Sequence, residues 1–123
     1  MAAKSYSVGV EPPTLSWTLV RGDTSSFEVY VTDGDKLPLT ISAWTRLMQI
    51  KRLNPSTQAY DLITSITPTA KTGVAGTIIV SLTSVQSKLL QTGDVFDIEF
   101  SDATKVWTIA KGSIIVIKDV TNS

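Results

Sequence analysis

Cysteine and histidine are both absent from this sequence, and their absence excludes most of the chemistry open to a small protein. Without cysteine, the chain has no disulfide, no thiolate nucleophile and no zinc–thiolate site. Without histidine, it lacks the commonest general base at neutral pH and the commonest metal ligand, and it cannot form a Ser-His nucleophile. We therefore expect no enzyme, no catalytic residue, no cofactor and no metal.

An excess of charge and a long apolar run are also missing. Eleven basic residues balance eleven acidic ones, so the long-range attraction to phosphate on which nucleic-acid binders depend is absent. No apolar stretch approaches the roughly 20 residues that span a bilayer. We expect neither nucleic acid nor a membrane as partner. A neutral protein has little self-repulsion, which favours an oligomer packed into an assembly.

Short alternating stretches, typical of β-strands, make up most of the chain, and the clearest lies within residues 94–120. Phe96, Ile98 and Phe100 fall on one side of an extended chain, with acidic residues between them. Residues 101–105 are rich in turn formers and predict a hairpin loop. Residues 106–117 therefore predict the antiparallel return strand.

Upstream, similar alternation predicts further strands. In the strand 25–32 the apolar positions predict an inward side, with Tyr30 and Thr32 pointing outward. In the segment 43–52 the inward side includes Arg46, which then needs a backbone or carboxylate partner or a place at the sheet margin. Pro38 confines its stretch to an edge or a bulge. The predicted upstream strands lie at 15–19, 25–32, 37–41, 43–52, 60–66 and 77–82.

One stretch has helical rather than strand periodicity. Thr83 and Gln86 have the spacing of a capping box, and Gly93 lies where a helix commonly stops. Val85, Leu89 and Leu90 share one side at helical spacing and predict a short helix at about 83–91. The whole pattern predicts an all-β fold: an immunoglobulin-like antiparallel β-sandwich of seven or eight strands with this one helix.

The sequence divides into residues 1–13, an N-terminal arm, and residues 14–121, a single sandwich domain. Glu11, Pro12 and Pro13 favour an extended path, because consecutive prolines fix φ and cannot donate hydrogen bonds. Such an arm is either a disordered terminus or a segment that lies on a neighbouring subunit. The partner-binding positions that we predict are Glu11, Pro12 and Pro13 of the arm and the outward Tyr30, Leu47 and Ile115.

Several motifs have a purely structural interpretation as well as a functional one. Residues 21–23 spell Arg-Gly-Asp, which some integrin ligands display, but a glycine turn between strands explains them better. Asp33 and Asp35, with Asp23 near, could offer oxygen ligands to calcium. Asp97 and Glu99 lie on one strand face, where a solvated face is the simpler explanation than a glycosidase pair.

Aromatic residues leave one further alternative. The three tryptophans, Trp17, Trp44 and Trp107, could form a platform on which a sugar stacks. Tryptophans in a small sandwich more often fill the core, and we favour that interpretation.

The order of these patterns resembles a family of small β-sandwich proteins and domains of tailed bacteriophages, which includes the N-terminal domain of baseplate upper proteins. The first half carries the resemblance in residues 21–24 before a Phe-x-Val-x-Val strand, and in residues 48–52. The second half is more similar to the family pattern, at residues 76–83, at Gln86, Leu89, Leu90 and Gly93, and at residues 96–99, 112–116 and 119–121.

The resemblance implies a structural role in the virion, in the tail, baseplate, neck or fibre-attachment region. It implies binding to other virion proteins and to identical copies. A capsid decoration protein, and a carbohydrate- or receptor-binding sandwich, are the alternatives.

Overall fold

A computed structural model describes residues 7–8, 14–32 and 37–118 of the chain. Their strands form a four-stranded and a five-stranded sheet, and one short α-helix lies across one end. The helix has six residues, so no helix among the described residues is long enough to cross a membrane. The elements are β1 (Ser7–Val8), β2 (Thr14–Val20), β3 (Ser25–Val31), β4 (Thr45–Asn54), β5 (Ala59–Ile66), β6 (Thr69–Ala70), β7 (Thr77–Leu82), α1 (Ser84–Leu89), β8 (Val95–Ser101) and β9 (Val106–Ile117).

The strand order confirms the predicted sandwich. One sheet runs β1-β3-β7-β6 and the other β2-β9-β8-β4-β5. An immunoglobulin sandwich has strands B, E and D side by side in one sheet, and the corresponding strands here are β3, β7 and β6. Its other sheet has strands G, F and C side by side, which correspond to β9, β8 and β4. Seven strands have six or more residues, and β1 and β6 have two each.

Two pairs depart from the predicted antiparallel arrangement. β1 pairs with β3, and β2 with β9, in the parallel direction. Two strands that pair in parallel need a long connection between them. β2 and β9 have one, because nearly the whole domain lies between them in the sequence. Strands at opposite ends of a domain leave no turn signal that would reveal their pairing.

Side chains of both sheets meet in one core, and its register is the predicted one. Phe96, Ile98 and Phe100 are buried, whereas the carboxylates between them are half-buried on the outer face. Trp17 lies in the core with its ring centroid 4.7 Å from that of Phe27, in an edge-on contact. The other two tryptophans are half-buried and pack against the core beside Phe100. Trp44 and Trp107 also lie against each other, with ring centroids 6.2 Å apart.

The hairpin of β8 and β9 is confirmed, with one irregularity. β9 is a single strand with a β-bulge opposite Ile98 and Glu99. In the loop, Oδ1 of Asp102 accepts hydrogen bonds from the backbone N–H groups of Thr104 (2.8 Å) and Lys105 (2.7 Å). These donors favour the ionised carboxylate and lower the pKa of Asp102.

The predicted strand at 37–41 is wrong. Pro38 makes only an isolated antiparallel bridge to Thr32, and a 3₁₀ helix follows at Ile41–Ala43. Proline has no N–H to continue a ladder, so the chain leaves the sheet there. Thr32, predicted to point outward, is buried instead.

Arg46 has the backbone partners that its inward position requires. Its Nε donates to the carbonyl oxygen of Pro68 (2.9 Å) and its Nη1 to that of Ile41 (3.1 Å). The guanidinium is half-buried and ties β4 to two loops. Of the alternatives predicted for Arg46, the structure shows the backbone partner.

The helix is present but shorter than predicted, and it turns a different side to the core. It covers Ser84–Leu89, and Thr83 and Gln86 form the predicted capping box. Val85 and Leu89 are exposed, whereas Ser87 and Leu90 are buried. Apolar spacing alone misses this orientation, because the buried position inside the helix is a serine.

Replacing Thr83 with alanine should lower the free energy of unfolding by about 1 kcal/mol, because the first turn loses the acceptor for the Gln86 N–H. Urea melts followed by fluorescence measure this change. Thr72→Ala is the matched control, since its side chain is exposed and makes no hydrogen bond within the described residues. Equal urea midpoints for Thr83→Ala and Thr72→Ala would contradict a stabilising role for the Thr83 cap.

Candidate functional site

An ion pair with a buried carboxylate fixes the end of the sandwich at which α1 lies. Arg52, near the end of β4, binds Asp94 through two hydrogen bonds, Nε to Oδ1 at 2.8 Å and Nη2 to Oδ2 at 2.9 Å. Asp94 is 1% exposed, and its Oδ2 also accepts from the backbone N–H of Gln91 at 2.8 Å. The hydrogen bond with Asp94 raises the pKa of Arg52 above its ordinary value.

The same arginine also holds the helix. Its Nη2 donates to the carbonyl oxygen of Leu89 at 2.9 Å, which satisfies an acceptor of the last helical turn. Sequence reasoning did not identify Arg52 or Asp94. Their separation of 42 residues hides the contact, and no local pattern marks it.

The Arg-Gly-Asp stretch is a turn, and it too holds the helix. Gly22 has φ of +89°, and Asp23 donates its backbone N–H to the carbonyl oxygen of Val20 at 3.1 Å. The Gly22 N–H donates to the buried Oγ of Ser87 at 2.8 Å, and Arg21 donates to the carbonyl oxygen of Leu90 at 3.3 Å. These bonds confirm the turn interpretation.

Exposed apolar side chains gather at this end of the molecule. β4 and β9 finish there, and α1 crosses it, so their terminal residues form one region around the Arg52–Asp94 pair. Of ten exposed large apolar residues in the described ranges, six lie at this end: Tyr60, which pairs in register with Leu53, and five aliphatic side chains. We call these five the helix-end surface: Leu53, Val85, Leu89, Ile115 and Ile117.

The partner-binding positions predicted from the sequence do not form one surface. Tyr30 lies half-buried on the outer face of the four-stranded sheet, and Leu47 lies half-buried on the outer face of the five-stranded sheet. Ile115 is exposed and belongs to the helix-end surface. Glu11, Pro12 and Pro13 lie outside the described residues.

A groove crosses the outer face of the five-stranded sheet. It has a volume of about 440 Å³ and runs from Thr14 at one edge to Tyr60 on the opposite edge strand. In its floor, Asp97 pairs in register with Gln49 on β4 and with Lys111 on β9. Glu99 lies one step along β8, opposite Leu47 and Thr108. The two carboxylates therefore lie next to each other on the outer face of the sheet.

The predicted calcium ligands are not brought together in the described residues. Asp33 and Asp35 lie outside those residues, and Asp23 is exposed in its turn. The part of the chain that the structure describes holds no group of three or more acidic residues that could bind a metal ion.

The architecture described above is found in a phage protein. The N-terminal domain of ORF48 of phage TP901-1 superposes on this chain with a TM-score of 0.52. The match covers 92% of this chain and 98% of that domain, at 8% sequence identity. No family model matches the sequence, and no curated protein matches it.

The likeness to the ORF48 domain extends over nearly the full length of both chains, so it concerns the complete sandwich and not a shared hairpin. At 8% identity it shows a common fold. The sequence resemblance to phage β-sandwich domains thus agrees with the structure at the level of the fold.

Proposed function

We propose that the protein is a non-enzymatic structural subunit of a tailed-phage particle that acts through protein–protein contacts. The observation that carries this proposal is the full-length fold likeness to a phage protein domain. The absence of histidine and cysteine from the sequence supports a role without catalysis. The virion is the corresponding location, with identical copies and other virion proteins as partners.

The helix-end surface supports the proposal of a protein contact. Its five apolar side chains are exposed and lie on one end of a rigid sandwich. Aliphatic side chains on an ordered scaffold lose little free energy from immobilisation when a partner covers them. A surface of this kind suits a neighbouring subunit.

The described part of the N-terminal arm, Ser7–Val8, pairs with Tyr30 and Val31, at the end of β3 that lies opposite the helix. β2 begins at Thr14 and runs parallel to β9, whose last residue Ile117 lies on the helix end. Glu11, Pro12 and Pro13 immediately precede Thr14. A contact between the arm of one copy and the helix-end surface of the next would be head-to-tail, and such contacts close into rings when the rotation permits.

Deletion of residues 2–13 tests the arm. We expect a folded, monodisperse domain that no longer enters particles, because the long strands and the core remain while the arm contact is lost. The measurement is complementation in trans of a phage that lacks the gene, with the chain quantified in purified particles. Circular dichroism and thermal melting establish that the truncated domain is folded.

A second variant tests the other half of the contact. Leu89→Asp with Ile117→Asp places charge on the helix-end surface and should give the same loss of incorporation. Ser81→Asp, at an exposed position of the four-stranded sheet, is the matched control and should incorporate normally. Normal incorporation of both the deletion and the double variant would contradict the proposed contact.

A further inference from the structure

The groove on the outer face of the five-stranded sheet carries a further inference. Its central row consists of an amide, a carboxylate and an ammonium group on three adjacent strands, from Gln49, Asp97 and Lys111. Adjacent strands lie about 4.8 Å apart, so the three groups are spaced evenly across the sheet. An acceptor is thus flanked on each side by a donor, and the amide of Gln49 supplies an acceptor as well.

These polar groups are not used by the protein itself. Within the described residues, the side chains of Gln49, Asp97, Lys111, Lys51 and Ser113 make no hydrogen bond or ion pair. The contrast with the helix end is sharp, because the charged side chains of Arg52 and Asp94 are bound to each other and to the backbone there. The groove therefore presents several hydrogen-bonding groups that remain available to a ligand.

An aromatic ring stands at the rim of the groove. Tyr60 is 54% exposed on the edge strand β5, diagonal to Lys51 across the β4–β5 pair. Val95 lies between Lys51 and Ser113 and gives the floor one apolar position. Tyr60 pairs with Leu53, four residues along β4 from Gln49, so the ring lies at one end of the groove and the row of donors and acceptors at the other. The two ends offer an apolar face and a set of hydrogen bonds to one extended ligand.

We propose that this groove binds an oligosaccharide, with the apolar face of one pyranose against Tyr60 and hydroxyl groups of its other sugar units bonded to Gln49, Asp97 and Lys111. A sugar hydroxyl both donates and accepts, so neighbouring hydroxyls match a row in which acceptor and donor alternate. The volume of about 440 Å³ lies within the usual range of small-ligand sites. The proposal is independent of a structural role in the virion.

The chemistry of the groove favours a saccharide over a protein partner. The centre of a protein interface is depleted of charged residues, whereas this floor contains Lys51, Asp97 and Lys111. Nucleic acid is disfavoured because Asp97 lies between the positive charges and Glu99 lies beside it.

Titration of the ¹⁵N-labelled full chain with glucose, galactose, rhamnose and N-acetylglucosamine, and with their short oligomers, tests the proposal. We expect at least one of these sugars to give saturable chemical-shift changes at the amides of residues 49–51, 95–97 and 111–113. Tyr60→Ala and Asp97→Ala should each lower the affinity for that sugar by about tenfold or more. The first variant removes the ring contact, and the second removes a charged hydrogen-bond acceptor.

Tyr30→Ala is the control for loss of a tyrosine, because Tyr30 lies on the other sheet. It should leave the affinity unchanged. The proposal is overturned if no sugar in the panel gives saturable shifts in the groove, or if Tyr60→Ala and Asp97→Ala bind as the parent does. Groove shifts that appear only on addition of another virion protein would likewise reject the saccharide and assign the groove to a protein contact.

Discussion

Phe96→Ala should lower the free energy of unfolding by about 3 to 5 kcal/mol, the range for truncation of a buried phenylalanine. Phe96 is buried on β8, a central strand of the five-stranded sheet. Its ring centroid lies 6.4 Å from that of Trp17 and 6.2 Å from that of Phe27, so it joins the two sheets. The cavity would open between aromatic rings that are fixed by their own strands and cannot collapse into it.

The neighbouring residues supply the control for Phe96. Asp97→Ala and Glu99→Ala on the outer face of the same strand should each change the free energy of unfolding by less than about 1 kcal/mol. Urea melts of the three variants give the comparison directly. If the carboxylate variants lost more stability than Phe96→Ala, the strand would have the opposite register and the core as described would be incorrect.

Arg52→Ala should destabilise the protein by about 2 to 3 kcal/mol, because it leaves the buried carboxylate of Asp94 without its charged partner, while water can enter from the side on which Arg52 is 32% exposed. Asp94 is 1% exposed, and Arg52 provides two of the hydrogen bonds to its carboxylate. The substitution also removes the donor to the carbonyl oxygen of Leu89 at the end of α1. We expect the loss in chemical denaturation, together with faster hydrogen exchange in residues 84–94.

An exposed ion pair serves as the matched control for Arg52. Lys71 binds Glu28 at 2.9 Å, and the two side chains are 37% and 24% exposed, so this carboxylate is reached by water whereas that of Asp94, at 1%, is not. Lys71→Ala should therefore cost less than about 1 kcal/mol. If Arg52→Ala lost no more stability than Lys71→Ala, the helix end would not depend on the Arg52–Asp94 pair.

Local patterns in the sequence predicted the parts of the fold that local physics determines. Alternation gave the inward side of β8, and the spacing of Thr83 and Gln86 gave the cap of α1, because each depends on neighbours within a few residues. The parallel β2–β9 pair and the Arg52–Asp94 contact join distant parts of the chain, and no local signal encodes them. Pro38 was recognised as a disruption, but the 3₁₀ helix after it was not.

The candidate surfaces were predicted less well than the fold, for a geometric reason. Alternation identifies an outward side chain but does not say on which sheet it lies, so Tyr30 and Leu47 were grouped although they face opposite directions. Ile115 was identified correctly as exposed. Val85 and Leu89 were expected to pack inward, because the buried Ser87 opposite them gives no apolar signal.

The central claim is that the chain is a structural component of a phage particle, and quantitative mass spectrometry of purified particles tests it most directly. Particles from the phage that encodes the chain would be banded by density and washed in high salt. The peptide signal would then be compared with that of the major capsid protein. We predict that the chain remains with the particles at a fixed copy number from one preparation to the next. Its absence from washed particles, with the chain recovered only in the soluble lysate, would contradict the structural role.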